Sequence, residues 1–519
     1  MTLSQRPPSS GSGPSWVADA VFYQIFPDRF AASARVAKPG PLEAWLAPPT
    51  AHGFKGGDLR GIAERLDYLT DLGATALYLT PVFASASNHR YHTFDYERVD
   101  PLLGGEEALR ELLDAVHARG MRLVLDGVFN HVGRGFWAFH HILENGAASP
   151  YRDWFHLDPE VQAGRRHVHA YPGRAGQAVV SERTLGYRAW WGLPALPKLN
   201  HANPEVREHI YDVAQKWLSF GIDGWRLDVP EEISESGFWE EFRARCLAVR
   251  PDAYLVGEIW NPAPGWLGDR FDGLMNYPLA EAILSFTAGG SLDAALVGKV
   301  HEYVGRVRPM DGPEFGRELE RVTSLYPRKL AELQLNLLGS HDTPRFRSLA
   351  GGHATAYLLA SLIQMTLPGA PCIYYGDEIG LEGRDDPDCR RAYPWNEPGL
   401  IDEVLRSSIA GLIEFRKAEP ATRHGSLTLL AAQGASIAYS ISGPEPATRA
   451  VAVAVNSGKT PTRLTAPAGF LEGRPLEQAS VALAPGSAGL DFRPIELSGS
   501  ELTFDLPPRS GLLVRTRRS

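Results

Sequence analysis

A regular alternation of short apolar runs with amphipathic helical stretches occupies the chain from about residue 20 to about residue 420. Strands that alternate with helices indicate parallel strands joined by right-handed crossovers. Eight runs have the length and composition of strands, and eight such strands favour a closed (β/α)₈ barrel over an open sheet. The predicted strands are Ala20–Phe26, Ala76–Pro81, Arg122–Phe129, Asp223–Asp228, Tyr254–Ile259, Phe271–Asn276, Gln334–Gly339 and Cys372–Tyr375.

Helical periodicity fills most of the connections between these runs. The predicted helices are Asp58–Leu72, Gly105–Arg119, Gly237–Val249, Ala354–Thr366, Ile401–Lys417 and one that begins at Pro204. Between about His131 and Asn200 no clear helical pattern is present. Because long irregular segments are usually functional, we expect a small excursion domain after the third strand.

Beyond about Leu427 the helical pattern stops. Alternating segments such as Ser436–Ile441 and Ala450–Val455, separated by Pro and Gly turns, predict a C-terminal antiparallel β-sandwich. The predicted organisation is therefore a flexible N-terminus (1–18), a catalytic barrel (19–130 and 201–422), an excursion domain (131–200) and the β-sandwich (423–519).

The composition narrows the class of partner. A formal net charge of −9 disfavours nucleic acid, because binding phosphates requires a basic surface. The 12 tryptophans and 18 tyrosines suit a neutral sugar, whose apolar C–H faces stack on flat rings. Most aromatic residues of a large barrel nevertheless fill its core.

The cysteines and the N-terminus give further expectations. Cys246, Cys372 and Cys389 have no spacing that predicts a disulfide framework or a zinc site. The segment Met1–Trp16 lacks the basic start and the apolar run of a signal peptide, and no later stretch is long enough to span a membrane. We therefore expect a cytoplasmic protein without a membrane partner.

Acidic and basic residues follow the predicted strands at one end of the barrel, where active sites of this architecture lie. Arg226 and Asp228 are two residues apart on one strand, so their side chains should project together. We expect the guanidinium to keep Asp228 ionised and to lower its pKa. The other strand-end residues are Asp126, Asn130 and His131 on the third strand, Glu258 on the fifth, and His341 and Asp342 on the seventh.

Carboxylates at one barrel mouth are what glycosidic cleavage requires. One attacks the anomeric carbon, one protonates the leaving oxygen, and further negative charge stabilises an oxocarbenium-like transition state. Any one of these acids could instead cap a helix or satisfy a loop. Their occurrence at successive strand ends favours the catalytic interpretation.

Four short motifs carry a resemblance to a known family. They are Asp126-Gly-Val-Phe-Asn-His131, Gly224-Trp-Arg-Leu-Asp228, Gly257-Glu-Ile-Trp260 and Ser340-His-Asp342, in this order. From about Val21 to the C-terminus the chain resembles the α-amylase superfamily, glycoside hydrolase family 13. The resemblance implies a retaining hydrolase of α-glucans.

The resemblance also implies roles for individual residues. Asp228 is similar to the nucleophile, Glu258 to the general acid/base, and Asp342 to a third acid that binds sugar hydroxyls. Tyr91, in Ser87-Asn-His-Arg-Tyr91, resembles the aromatic platform under the sugar that is cleaved. The remaining implied substrate-binding residues are Asp126, His131, Arg226, His341, Glu232, Trp260, Asp386 and Arg390.

Within the family, Leu196-Pro-Lys-Leu-Asn200 resembles the form of this motif in the cyclomaltodextrinase, neopullulanase and maltogenic amylase group. Trp190-Trp191-Gly192 and Asp386-Pro-Asp-Cys-Arg390 are similar to the same group. Asp386 and Arg390 would hold the next sugar on the non-reducing side, although a surface ion pair is an equal alternative.

Two departures from that group affect these expectations. Members usually carry an additional N-terminal β-domain that mediates dimerisation, whereas the first barrel strand here begins near Ala20. We therefore expect a monomer or a weak homo-oligomer. After the nucleophile the chain reads Val229-Pro-Glu-Glu232, where the group has Asn-Glu, and Glu232 would take the Glu position on the leaving-group side.

Calcium and several alternative functions stay open. Asn130 occupies a calcium-ligand position of many secreted amylases, but calcium needs about six or more oxygens and no acidic loop supplies them. We expect Asn130 to brace its loop, and no cofactor to be required for the chemistry. The alternatives are a transglycosylase or an exo-acting α-glucosidase on the same site, an inactive sugar-binding homologue, and a metal-dependent hydrolase that uses Asp126, His131 and His341.

Overall fold

The computed structural model describes residues 13–172, 179–443, 450–471, 475–483, 490–495 and 501–516. Eight parallel strands form a sheet near the positions predicted, and the predicted (β/α)₈ barrel is confirmed. The strands are β1 (Phe22–Ile25), β2 (Ala76–Leu79), β3 (Arg122–Gly127), β4 (Gly224–Leu227), β5 (Tyr254–Gly257), β6 (Gly273–Leu274), β7 (Leu335–Leu337) and β8 (Ala370–Tyr374).

The strands pair in barrel order. Strands β1 to β6 are consecutive neighbours, β8 pairs with β1, and β7 pairs with β8. The barrel closes between β6 and β7 through a parallel bridge that joins Met275 to Leu335. Since β6 contains only two residues, this seam is the shortest part of the ladder among the described strands.

Both faces of the barrel strands are buried, which explains their near-continuous apolar sequences. On β2, Ala76 and Tyr78 belong to an apolar cluster inside the barrel, together with Phe22 and Leu335. The alternate residue Leu77 belongs to the larger cluster formed with the surrounding helices. The alternation along each strand therefore assigns side chains to the interior or to the helical layer.

Helices surround the sheet, and several begin at a polar cap. The side chain of Asn203 accepts a hydrogen bond at the start of Pro204–Phe220, and Asp402 does the same for Glu403–Ala418. The α-helices that join barrel strands are Pro27–Phe30, Leu59–Ala63, Leu66–Leu72, Gly105–Ala118, Pro204–Phe220, Phe238–Val249, Tyr277–Ala288, Ala294–Val297, Gly312–Thr323, Arg328–Ala331, Phe346–Leu349 and Ala354–Thr366. Trp16–Asp19 precedes the barrel, and Glu403–Ala418 and Ala421–His424 follow β8.

Two helix predictions were incomplete. The helix predicted over Asp58–Leu72 is two helices, because the chain leaves helical geometry at Arg65. The first of them packs Gly61 onto the backbone of Ala31, so closely that a side chain at Gly61 would overlap it. The segment expected to lack a helix contains Trp137–Asn145, whose N-cap residue Phe136 makes no side-chain capping bond.

The segment between β3 and Pro204 lies against the carboxyl end of the barrel. Isolated antiparallel bridges join His131 to Lys198 and Ala189 to Pro197. It also contains the short helices Pro159–Gln162 and Glu182–Leu185. A hairpin of Phe83–Ser85 and Thr93–Val99 follows β2, and Tyr91 lies in its connecting loop.

The C-terminal part contains antiparallel sheets, as predicted. One sheet has the strand order Ser426–Gln433, Ser436–Ser442, Val451–Asn456, Ser510–Thr516, Leu476–Val481, Arg493–Ile495. A second sheet pairs Thr462–Pro467 with Glu501–Leu506. Ala452 from the first sheet and Leu464 and Phe504 from the second share one buried apolar cluster.

The structure describes only part of the predicted flexible N-terminus (1–18). Residues 1–12 of the predicted flexible N-terminus lie outside the described residues, and Trp16 of the short helix packs on Phe22 and Tyr254. In the described part of the chain, no helix combines the length and apolar character needed to cross a bilayer. Cys246, Cys372 and Cys389 are buried free thiols.

Candidate active site

The strand-end residues converge at the carboxyl end of the barrel. Asp126 on β3 lies beside Arg226 on β4 in the sheet register. Asp228 and Glu258 directly follow β4 and β5, and their backbone N–H groups still bond across to Gly127 and Leu227, at 3.1 and 3.0 Å. The sheet ladder thus extends to both acids and fixes their backbones.

Arg226 contacts three carboxylates. Its Nη1 donates to Oδ1 of Asp126 at 2.9 Å and to Oδ1 of Asp228 at 3.0 Å. Its Nη2 lies 2.8 Å from Oε1 of Glu258. All four residues are buried, so these contacts form in a medium of low polarity, where ion pairs are strong.

The two oxygens of Asp228 have different surroundings. Oδ1 accepts the hydrogen bond from Arg226, whereas the buried Oδ2 has no hydrogen-bond partner among the described residues. A carboxylate with one oxygen anchored and the other free is oriented for nucleophilic attack.

Glu258 is held by the turn that follows Asp228. The backbone N–H of Val229 donates to Oε2 of Glu258 at 3.2 Å, and Tyr277 Oη lies 3.5 Å from Oε1. Val229 adopts φ 35° and ψ 54°, the left-handed region that a β-branched residue rarely enters. This unfavourable conformation turns its N–H toward the acid.

Burial raises the pKa of Glu258 to about 7, with Arg226 opposing the shift and Asp342 and Asp126 adding to it. Burial also raises the pKa of Asp228, again against the effect of Arg226. The expectation that Arg226 would lower the pKa of Asp228 was therefore wrong in its net direction. The loss of hydration outweighs one guanidinium shared among three acids.

Tyr91, His341 and Asp126 form a chain of hydrogen bonds. The Gln24 amide nitrogen lies 3.0 Å from Nδ1 of His341 and can only donate, so the neutral ring carries its proton on Nε2. That nitrogen lies 2.6 Å from Tyr91 Oη, which donates to Oδ2 of Asp126 at 2.8 Å. Burial lowers the pKa of His341, which keeps the ring neutral. The Tyr91 and His341 rings are stacked, with centroids 5.2 Å apart.

Asp342 lies on the solvent-exposed side of these hydrogen-bonded residues. Its Oδ1 is 3.2 Å from Nη2 of Arg390, and its Oδ2 is 3.1 Å from Nε2 of His341. Arg390 also donates to the His341 carbonyl at 2.8 Å and pairs with Asp386 at 2.9 Å. Because Arg390 is buried and bonds to Asp342, the pair with Asp386 is joined to the site.

The other predicted site residues border this network. His131 is buried, stacks on Trp190, and lies near the backbone of Tyr91; burial lowers its pKa to about 3. Trp260 stacks on Tyr277, which itself approaches Glu258. Glu232 pairs with Lys198 at 2.7 Å.

Three residues of the site were missed in the sequence. Gln24 and Tyr78 lie within predicted strands and Tyr277 directly follows one, and none of them was predicted as a site residue. Tyr78 Oη donates to Oδ2 of Asp126 at 2.8 Å, and Gln24 sets the tautomer of His341. For Gln24 and Tyr78 the available signal is polarity at inward-facing positions of β1 and β2, which alternate along the strand, whereas Tyr277 begins a helix and has no such signal.

The donor arrangement gives no support to the metal-dependent alternative. Within the described residues, no group of three or more His, Cys, Asp or Glu side chains is placed to hold a metal ion. Asp126 and His341 are bonded to Arg226, Tyr91 and Gln24. The side-chain nitrogen of Asn130 lies 3.2 Å from Nδ1 of His131 and its backbone carbonyl accepts the Leu199 N–H, whereas its buried Oδ1 has no hydrogen-bond partner among the described residues.

The chain is similar to proteins of known activity. Residues 24–408 match the model of the alpha amylase catalytic domain. The chain is 43% identical over 422 residues to a cyclomaltodextrinase of Geobacillus thermopakistaniensis, which covers 81% of this chain and 66% of the relative. It is 42% identical over 416 residues to neopullulanase 2 of Thermoactinomyces vulgaris, covering 79% of this chain and 63% of the relative. The chain thus spans somewhat less than two thirds of the length of these two relatives.

A solved structure matches over its whole length. The debranching enzyme of Nostoc punctiforme is 42% identical, has a TM-score of 0.83, and is covered completely by 98% of this chain.

Proposed function

Because the chain belongs to the α-amylase family, we propose that it is a retaining α-glucan hydrolase that cleaves α-1,4-glucosidic bonds of maltodextrins and cyclodextrins. The observation that carries the proposal is the contact of Arg226 with Asp126, Asp228 and Glu258, which leaves Oδ2 of Asp228 free. One of these acids can attack and another can donate a proton.

In the first step, Oδ2 of Asp228 attacks the anomeric carbon while Glu258 gives its proton to the glycosidic oxygen. The bond between carbon and oxygen breaks, the shortened glucan leaves, and a glycosyl ester forms on Asp228. Glu258 becomes anionic, and its contacts with Arg226 and the Val229 N–H stabilise the new charge.

In the second step, Glu258 takes a proton from water, and the water oxygen attacks the anomeric carbon. Asp228 is released with its original charge, and two inversions give an α-configured product. Tyr91, His341 and Asp342 line the position of the reacting sugar and supply its hydroxyl contacts. His131 and Arg226 complete that set, and Asp386 with Arg390 extends it toward the non-reducing end.

Replacement of the nucleophile tests the proposal. Asp228→Asn should lower turnover of maltodextrins by about 10³-fold or more, because the covalent route is closed. A fluorinated glycosyl donor should label Asp228 in the unmodified enzyme, and NMR should detect α-configured first products. Asp212→Asn, on the exposed face of helix Pro204–Phe220, is the matched control and should retain full activity.

Near-normal activity of Asp228→Asn would refute this assignment. β-Configured first products would refute the retaining mechanism itself.

A second candidate is cleavage of α-1,6 bonds. It is favoured by the similarity to a neopullulanase and to a debranching enzyme that matches nearly the whole chain. Transglycosylation and exo-action would use the same glycosyl-enzyme, and they differ in whether water or a sugar hydroxyl reaches it. Product analysis on maltotriose, β-cyclodextrin, pullulan and starch separates these activities.

The proposal also covers the cellular location, the oligomeric state and the cofactor requirement of the enzyme. We place it in the cytoplasm as a monomer or weak homo-oligomer that acts on oligosaccharides without a required cofactor. Cell fractionation and light scattering at several protein concentrations test the setting. Chelation followed by activity measurement tests dependence on calcium.

A further inference from the structure

One arginine outside the carboxylate network joins two segments that contact Glu258. The Nη2 atom of Arg306 donates to Oδ1 of Asn261 at 2.8 Å, and its Nη1 atom donates to Oε1 of Glu281 at 3.2 Å. Asn261 lies on the loop after β5 that carries Glu258, and Glu281 lies on the helix Tyr277–Ala288. Because a planar guanidinium has donors in fixed directions, it holds both acceptors at a defined separation.

The same two segments also meet through stacked aromatic rings. Trp260 stacks on Tyr277 with centroids 3.6 Å apart and planes 12° apart, and Tyr277 Oη lies 3.5 Å from Oε1 of Glu258. The acceptors of Arg306 lie next to these rings, since one directly follows Trp260 and the other lies one helical turn beyond Tyr277. Tyr303, on the segment that carries Arg306, packs edge-on against Trp260.

The loop that carries the acid has few other attachments. Residues 260–266 lie outside the strands and α-helices and contain one 3₁₀ turn. Within the described part of the chain, two hydrogen bonds join them to other segments. One is the bond from Arg306, and the other is a longer bond of 3.4 Å from the Ala263 N–H to Tyr326 Oη. The position of this loop therefore depends strongly on Arg306.

Glu281 is placed to fix the guanidinium. Its side chain is 10% exposed and that of Arg306 is 35% exposed, so their contact is partly shielded from water. Burial raises the pKa of Glu281 to about 7, and Arg306 opposes this shift. On the helix Gly312–Thr323, Glu318 adds to the shift and Arg321 opposes it. The carboxyl group can thus take up a proton when the arginine is removed, which allows such a variant to fold.

We infer that Arg306 is a positioning residue for the proposed general acid, and that it acts through its two anchors, Asn261 and Glu281. The bridge holds the loop after β5 against the helix, and it thereby keeps the stacked rings beside Glu258. The inference rests on the proposed function, because it assumes that Glu258 transfers the proton. Arg306 acts on the reaction only through that acid.

Two substrates separate an effect on proton transfer from a general one. Cleavage of maltotriose requires a proton from Glu258, whereas α-maltosyl fluoride releases fluoride, whose departure requires none. Arg306→Met retains an apolar side chain of similar length and removes both hydrogen bonds. It should lower kcat/KM for maltotriose about tenfold, because a small displacement of a catalytic group is costly. It should leave kcat/KM for α-maltosyl fluoride unchanged within about twofold.

The pH profile is a readout that a loss of stability alone would not change. Burial raises the pKa of Glu258 to about 7. A loosened loop should admit water to this acid and reduce the effect of burial. The alkaline limb of kcat/KM for maltotriose should therefore move to lower pH in Arg306→Met.

Asn261→Ala tests the other end of the bridge. Asn261 is exposed, so its replacement should not disturb folding, and the substrate-selective loss should recur. In a variant that combines both changes, the loss should be about that of either single variant, because both break the same connection. Arg308→Met removes a neighbouring exposed ion pair with Glu314 and is the matched control. It should behave as the unmodified enzyme on both substrates.

Equal losses on both substrates, unchanged kinetics, an unshifted alkaline limb, or additive losses in the combined variant would overturn the inference. Failure of the proposed function is recognised separately, since the unmodified enzyme would then consume neither substrate.

Discussion

Arg226 faces three buried acids, so its one positive charge cannot balance them when all three are ionised. The group therefore keeps a proton to a higher pH than isolated carboxyls would, and burial raises the pKa of both Asp228 and Glu258. In the proposed mechanism, Glu258 requires a retained proton at the start of each cycle. Burial of the acids around Arg226 therefore keeps Glu258 protonated for the first step of the proposed mechanism.

The pH dependence of the rate should follow from these shifts. Glu258 must be protonated, so activity should fall as pH rises through about 7, the pKa of Glu258. Asp228 must be ionised, so activity should rise with pH through its own raised pKa. The two limbs should give a bell in kcat/KM, whose apparent pKa values belong to the coupled pair.

Glu258→Ala provides the control for the alkaline limb. It should remove that limb and should retain more activity on activated aryl glycosides, whose leaving groups need no proton, than on maltodextrins. Equal losses on both substrate types would mean that Glu258 only positions the substrate.

At the residue scale, the sequence predicts charged residues at strand ends well, because the barrel brings every strand end to one mouth. Asp228, Arg226 and Glu258 lie together for this reason. Gln24 and Tyr78 are not predictable in the same way, since a polar residue in an apolar run more often serves packing. The net pKa of Asp228 also requires the structure, because it depends on the extent of burial.

At the level of elements, apolar composition places all eight strands near their predicted positions, since buried parallel strands have continuous apolar runs. The helix Trp137–Asn145 was not predicted because its sequence has no clear helical periodicity and no polar residue caps its start. The break at Arg65 was missed because it does not interrupt the apolar periodicity. Helix ends that depend on tertiary contacts are not encoded locally.

The turn after β4 accounts for the unusual Val229-Pro-Glu-Glu232 sequence. Pro230 begins a short 3₁₀ helix, where its fixed φ is favourable, and its carbonyl accepts the Trp239 indole N–H at 3.0 Å. This geometry presents Glu232 to Lys198 at 2.7 Å. Pro230 therefore stabilises the turn that, in the proposed mechanism, lies on the leaving-group side.

Glu232→Gln should affect substrate use more than stability. Its side chain is exposed but its partner Lys198 is buried, so loss of the charge should lower the unfolding free energy by about 1–3 kcal/mol, without unfolding the protein. We expect a several-fold higher KM for maltopentaose. Glu231→Gln, in the same turn and also exposed, is the matched control, and a comparable change in that variant would argue against the role of Glu232.

At the scale of the whole molecule, we propose that the chain divides into the barrel, the excursion domain from residue 131 to 200, and the β-sandwich from residue 423. The barrel and the C-terminal sheets are predictable because the sequence changes from alternating strand and helix patterns to strand patterns alone near residue 420. The position of the excursion segment over the site is not predictable from the sequence, because it is fixed by isolated bridges between distant residues, such as His131–Lys198.

Substrate range is the prediction that depends on the whole molecule. The residues around Leu196–Asn200 and Trp190 favour short α-1,4-glucans over the polymer. Because the site residues contact the substrate directly, we expect a higher kcat/KM for β-cyclodextrin or maltotriose than for soluble starch. A clear preference for starch, with cyclodextrins uncleaved or inhibitory, would instead indicate a general α-amylase.

The short seam of the barrel has a consequence for the order in which the protein loosens. Strands β6 and β7 meet at the Met275–Leu335 bridge, and Met275 Sδ lies 3.4 Å from Nε of Arg226. Few hydrogen bonds must break to open the pairing of β6 with β7. The amide protons of these two strands should therefore exchange with solvent before those of β3 to β5. Thermal fluctuations should therefore displace the Arg226 guanidinium before they disturb β3 to β5, so the contacts of Arg226 with the three acids should weaken on warming before the barrel unfolds.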